Sequence, residues 1–217
     1  MEQEYINIHT HHPGHGINIF DPCLGEMPSP ENGKILYSMG IHPMYINENT
    51  AEKLADIEQA AAQRHIVAVG EAGLDRNAPV AMEIQIDWFC RQAAIAARYQ
   101  LPLIIHGVRA IPELIAAYKK CPSPKGWIIH GFNNRREILD DLLRHGFYIS
   151  VGRQLLQPES NIFRLLPAIP LSRLFIETDH SDFTIEEIYR AVAQRLGMDI
   201  ETLQQIIHAN FAQLFHC

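Results

Sequence analysis

The sequence holds little that marks a membrane or a secreted protein. No apolar run reaches the roughly 18 residues that cross a bilayer. The opening MEQEYINIH is acidic and leads straight into a strand-like pattern, without a basic and then apolar leader. Cysteine is scarce. Cys23, Cys90, Cys121 and Cys217 form no CxxC pair, which predicts free buried thiols in a reducing cytoplasm rather than a disulfide framework or a thiolate zinc site. Basic charge is also short. There are 18 Lys and Arg against 25 Asp and Glu, a net charge of −7. That excludes a broad basic face for nucleic acid, but not an enzyme that grips phosphates through metal ions. Repeats, linkers and low-complexity tracts are absent, so 1–217 reads as a single domain with one core.

Short apolar runs are plentiful instead: YINIH (5–9), ILYSMGIH (35–42), IVAVGEAG (66–73), LPLIIH (101–106), GWIIH (126–130), FYISVG (147–152) and LFIETD (174–179). Near-continuous apolar strands imply burial on both faces, as in a parallel sheet. Helical patterns lie between them at 50–63, 81–99, 111–118, 135–145 and 185–196. Thr50 is the expected N-cap of the first, Thr184 with Glu187 predicts a capping box, and Gly146 and Gly197 stand at helix stops. Strand–helix alternation predicts a parallel α/β fold. Between Ile8 and Ile35 no helix pattern occurs. INIF (17–20) follows the first strand after only seven residues, too few for a usual parallel crossover. It reads as an antiparallel or edge piece.

Histidine is the signal. Twelve occur, four of them in YINIHTHHPGHG. Strand ends carry His9 and His11, then His42, Glu71 with Asp75, His106, His130 and Asp179. In a closed parallel barrel the carboxyl ends of all strands share one face, where active sites are built. His9 and His11, two apart on a strand, point the same way and can lean onto one ion. The donor set is nitrogen and oxygen without thiolate, which suits zinc, manganese, nickel or iron. Four histidines and two carboxylates exceed the three protein ligands usual for one catalytic ion. Two ions about 3.5–4 Å apart, bridged by a carboxylate, would use them all.

The ordered pieces HTH, GIHP, VGEAGLD, PLIIH, IIHGF, GFYISVG, FIETD and NFAQLF, with Gln85, Phe89 and Gln92 before PLIIH, resemble the TatD family of metal-dependent hydrolases among the amidohydrolase-like barrels. The resemblance runs over nearly the whole chain. It implies a TIM-like (β/α) barrel, distorted or shortened near the N-terminus where the first helices are missing. It also implies a divalent-metal-dependent phosphodiesterase or deoxyribonuclease with two ions, zinc foremost, with Mg, Mn, Ni or Fe as alternatives. His9, His11 and Asp179 would hold the first ion, His106 and His130 the second, and Glu71 would bridge. His42 would be a non-ligand near the scissile group, and Asp179 would take a proton from a water activated between the ions. The expected substrate is a phosphodiester such as short or single-stranded DNA ends, in the cytoplasm, with no membrane and no obligate protein partner.

Several residues depart from the family pattern. Asn7 stands where Asp usually precedes the first His. Arg109 sits one place later than usual, and His180, Ser181 and Asp182 replace a small residue and Pro. Arg109, Arg135, Arg153 and Asp182 are the substrate-side candidates. Pro13 stops the first strand, so His12 and His15 should stay outside the ligand set, and 13–33 should form a helix-free rim. His65, His145, His208 and His216 read as surface or core, Asp75 as structural, Trp88 and Trp127 as core. Two other functions fit this sequence: an amide, ester or lactone hydrolase, and a non-catalytic metal-binding protein.

Overall fold

A computed structural model describes residues 4–22 and 34–215. Eight strands run in chain order: Ile6–Thr10 (β1), Ile17–Phe20 (β2), Ile35–Met39 (β3), Ala68–Asp75 (β4), Leu103–Val108 (β5), Trp127–Ile129 (β6), Tyr148–Val151 (β7) and Leu174–Ile176 (β8). Each pairs in parallel with the next. A bridge between Thr10 and Asp179 closes the ring. Asp179 N–H donates to His9 O at 3.0 Å and His11 N–H to Asp179 O at 3.2 Å. The closure therefore brings the two ends of the predicted ligand set together. It is a (β/α) barrel of the TIM type, irregular at its N-terminal side.

All residues of β1 and β4 are buried, as expected where the interior fills one side and helices cover the other. The covering helices are Thr50–Ala62 (α1), Met82–Arg98 (α2), Ile111–Tyr118 (α3), Arg136–Arg144 (α4), Asn161–Leu165 (α5), Ile185–Leu196 (α6) and Ile200–Leu214 (α7). The Thr184–Glu187 capping box is present, and Gly197 closes α6 with φ +67. Tyr189 of α6 fastens β1 to the helix layer. Its hydroxyl accepts Ile6 N–H at 3.2 Å and donates to Ile6 O at 3.0 Å. Across the barrel from β1, a Cβ on Gly73 would run into the His106 carbonyl, so only glycine lets β4 approach β5 there.

Several expectations need correction. INIF is β2, a parallel barrel strand, and not an antiparallel or edge piece. Both strands are so short that six extended residues, at roughly 3.3–3.6 Å each, reach back to the start of the next strand without a helix. Thr50 is not the N-cap. Asn49 holds that position, and Thr50 Oγ1 accepts Asn47 N–H at 2.7 Å. Cys90 and Cys121 are not free thiols but form a disulfide. The packing of α2 against α3 brings together cysteines 31 residues apart, which no spacing motif records. The thiol argument for a reducing compartment lapses for that pair. Trp127 is core, but Trp88 is only half-buried, with Arg91 over its ring at 4.7 Å. Helices α5 and α7 had not been anticipated. Asp199 caps α7 by accepting Thr202 N–H at 2.7 Å. Residues 13–22 contain no helix, while 23–33 of the expected rim lie outside the described residues.

Candidate metal centre

Glu71 stands at the middle of the barrel mouth, and its two oxygens face different histidines. Oε2 lies 3.5 Å from His9 Nε2 and 3.9 Å from His11 Nε2. Oε1 lies 2.6 Å from His106 Nδ1, 2.8 Å from His130 Nε2 and 3.4 Å from His42 Nε2. Asp179 Oδ1 completes the first group, 3.7 Å from His9 Nε2 and 3.6 Å from His11 Nε2. Asp179 itself has φ +55, uncommon for a non-glycine residue, between its two backbone bonds to the β1 end. A cavity of about 240 Å³ opens over this group.

Each of three imidazoles is fixed from behind. Asp21 O takes His11 Nδ1 at 3.0 Å, Asp75 Oδ2 takes His106 Nε2 at 3.0 Å, and Glu177 Oε1 takes His130 Nδ1 at 3.3 Å. An acceptor on one ring nitrogen leaves the other nitrogen's lone pair for the site. His42 is set the opposite way. Its Nδ1 accepts Met44 N–H at 3.1 Å, so its neutral ring presents Nε2–H towards Glu71 and offers the site a donor rather than a lone pair. Glu177, wholly buried, also accepts Gly131 N–H at 2.6 Å and the Ser150 hydroxyl. The Asp21 side chain accepts Glu71 N–H at 2.8 Å. Asn7, the departure beside His9, donates to Thr178 Oγ1 at 2.8 Å and ties β1 to the end of β8.

Charge in this cluster is strongly coupled. Burial opposes ionisation of Glu71, but the His130 charge and hydrogen bonds from His106, His130 and His42 hold its carboxyl well below the usual range. Burial disfavours charge on His130 too, yet Glu71 and Glu177 raise it well above an ordinary histidine. His9 is raised more modestly: burial and the His130 charge lower it, and the nearby Glu71 and Glu177 carboxylates outweigh them. His11 is lowered to about 4 by burial and by the neighbouring His9 and His180.

The donors fit a cation. Two ligands at about 2.0–2.1 Å from one tetrahedral ion stand about 3.4 Å apart. The His9, His11, Glu71 and Asp179 atoms are separated by 3.5–3.9 Å, too far for good hydrogen bonds. His9 is fully buried, and neither of its ring nitrogens has a hydrogen bond among the described residues. A buried imidazole left so is costly unless something else occupies it.

The structure brings together His9, His11, His42, Glu71, His106, His130 and Asp179. The other candidates lie apart. Arg109 and Arg135 line a separate cavity of about 370 Å³ with Asn134 and Asn161. Asp182 lines another with His12, His15 and Phe183. Arg153 is exposed just past β7. His12 and His15 are exposed, and His15 pairs with Glu186 at 2.7 Å. Asp75, read as structural, accepts Asn77 N–H at 2.7 Å and also backs His106, while Asp21 and Glu177 were missed as supports. Glu177 had a signal, since it stands two before Asp179 as His9 stands two before His11. His180, named above only as a departure from the family pattern, lines the cavity with Glu71 and Asp179. It stacks on His11 with centroids 3.8 Å apart, and with His11 and Asp179 it forms one of four groups among the described residues that could hold a cation.

A parallel barrel with buried histidines and carboxylates converging on its C-terminal mouth defines a metal-dependent hydrolase. A family model described as TatD related DNase matches residues 24–216, which include Glu71, His106, His130 and Asp179. The chain therefore belongs to the TatD family. It is 28% identical over 202 residues to an uncharacterized metal-dependent hydrolase, YcfH, of Escherichia coli K12, covering 86% of this chain and 76% of that one. It is 33% identical over 144 residues to a 3'-5' ssDNA/RNA exonuclease TatD of Erwinia amylovora, covering 64% and 56% respectively. The crystal structure of the TatD homologue YjjV of Escherichia coli K12 has the same fold. It superposes with a TM-score of 0.81 at 22% identity over 97% of each chain.

Proposed function

We propose that this hydrolase cleaves phosphodiesters at short or single-stranded nucleic-acid ends, using two divalent cations. His9, His11 and Asp179 would hold the first, His106 and His130 the second, and Glu71 would serve both. The observation that carries this reading is the divided Glu71 carboxylate, one oxygen towards each histidine pair. The donors suit zinc, and also manganese, nickel or iron; magnesium would rest on the carboxylates alone. When bound, such ions lower the pKa of water and neutralise charge that grows on a phosphoryl group.

The chain supplies the rest. The Asp179 carboxylate, a third exposed beside the cavity, takes the proton of the attacking water. His42 Nε2–H donates towards a phosphoryl oxygen. Asp75, Glu177 and the Asp21 carbonyl keep three ligand rings in the tautomer a cation needs. A mouth of about 240 Å³ admits a strand end more readily than the side of a duplex. A chain of net charge −7 has no basic stripe with which to track one. The Erwinia relative is named as a 3'-5' ssDNA/RNA exonuclease, which agrees with this choice. Residues 1–217 act as one catalytic domain.

One observation favours a second reading. Among the described residues, no Arg or Lys lines the metal cavity. An amide, ester or lactone substrate would need none. The deciding experiment is a screen of the metal-loaded protein against single-stranded oligonucleotides, bis-p-nitrophenyl phosphate and p-nitrophenyl esters. Hydrolysis of the first two, abolished in Glu71→Gln, is expected. Hydrolysis of the esters alone would overturn the phosphodiesterase reading.

A further inference from the structure

Two rings stand at the mouth of the metal cavity, and each is backed by a histidine of the site. Tyr45 lies 5.5 Å from His42, and His180 stacks on His11. Both line the same cavity as Glu71 and Asp179. Tyr45 is 47% exposed, one of four large hydrophobic residues so exposed among the described residues, and Met44 on the same turn is another. That turn is firmly held. Tyr45 N–H donates to His42 O at 2.9 Å, Met44 N–H donates to His42 Nδ1, and buried Pro43 fixes the first residue. An exposed ring on a rigid mount binds at little cost in conformational entropy.

We propose that Tyr45 and His180 are stacking platforms for the nucleobases that flank the cleaved linkage. This inference rests on the phosphodiesterase reading and specifies how an acidic protein holds its substrate. Every base has a π-face, so stacking grips single strands without regard to sequence and without a basic groove. Duplex bases present no free face, which restricts the site to unpaired ends. Tyr45 stands on the β3–α1 connection and His180 on the β8–α6 connection, with Glu71 and Asp179 between them in the same cavity.

The test compares a short single-stranded oligonucleotide with the same strand carrying tetrahydrofuran abasic residues at its end. The intact protein should favour the base-bearing strand by about tenfold in kcat/KM, carried by KM, within the range of one base–aromatic contact. Tyr45→Ala should narrow that ratio to about twofold, while Tyr45→Phe keeps it. His180→Phe should keep it and His180→Ala should reduce it, with bound metal measured in both. An unchanged ratio in Tyr45→Ala overturns the Tyr45 platform. Loss of metal in both His180 variants assigns that ring to an ion instead and overturns its stacking role. Equal cleavage of both strands by the intact protein overturns the whole inference and leaves the phosphodiesterase reading standing. Cleavage of neither strand overturns both.

Discussion

Asp75 Oδ2 lies 3.0 Å from His106 Nε2, on the side of the ring away from Glu71. The carboxylate accepts a hydrogen bond from Nε2–H, which leaves the Nδ1 lone pair facing the site. Asp75→Asn can present its amide N–H to that nitrogen and favour the wrong tautomer. Such supports are typically worth about 10–100-fold in metal affinity. Competition against a chromogenic chelator should show a loss of that order in Asp75→Asn, with the fold retained by circular dichroism. An unchanged affinity would remove Asp75 from the support of the site.

Glu71→Gln should lose at least about 100-fold in kcat/KM and also release metal, because one carboxylate serves both histidine pairs. Elemental analysis should give about two ions per chain in the parent protein and fewer in the variant. Folding should survive, since Glu71 faces the cavity rather than the apolar core. Full occupancy and full turnover in Glu71→Gln would remove the bridging role.

Metal uptake near pH 7 should release protons. His130, held well above the ordinary histidine value by Glu71 and Glu177, carries a proton in the metal-free protein that a cation must displace, and the raised His9 adds to the release as pH falls. His11, lowered to about 4, is already neutral and releases none. Affinity should therefore rise with pH through the raised histidine values and fall as the solution is acidified. Calorimetric titration in two buffers of different ionisation enthalpy measures the release. Identical heats in both buffers would contradict this account.

Removing the Tyr189 hydroxyl should weaken the barrel at β1. Tyr189→Phe leaves the Ile6 N–H and C=O without that buried partner, at a cost of about 1–3 kcal/mol. For a chain of this size the melting temperature should fall by about 2–4 °C per kcal/mol. Because β1 also carries His9 and His11, the metal-induced rise in Tm should be no larger than in the parent protein, and smaller where the loosened strand weakens metal binding. An unchanged Tm would show that the tie contributes nothing.

Local pattern carried far in this chain. Apolar runs bounded by Pro and Gly located all eight strands, because a strand covered on both faces has no polar alternation to blur it. Five helices were legible from period and caps, α3 and α6 to the residue. Helix α7 was not, because its pattern merges with the closing NFAQLF segment. β2 was found but oriented wrongly, since the usual length of a parallel crossover argued against a six-residue return. The residues of the candidate site were legible because strand ends in a barrel converge, so each His, Glu or Asp could be found without knowing its neighbours.

Sequence order alone was enough to place His9, His11, Glu71, His106, His130 and Asp179 at strand ends, and hence at one mouth. Which oxygen of Glu71 meets which histidine was decided only by the closed barrel, through the Thr10–Asp179 bridge that brings the β8 end beside β1. The same closure put Asp21, Asp75 and Glu177 behind the ligand rings and His180 over His11. The Cys90–Cys121 bond depends likewise on how α2 and α3 pack. Periodicity and motif spacing report neighbours along the chain. A tautomer, a stacked ring or a disulfide depends on distances between residues that the chain brings together only when it folds.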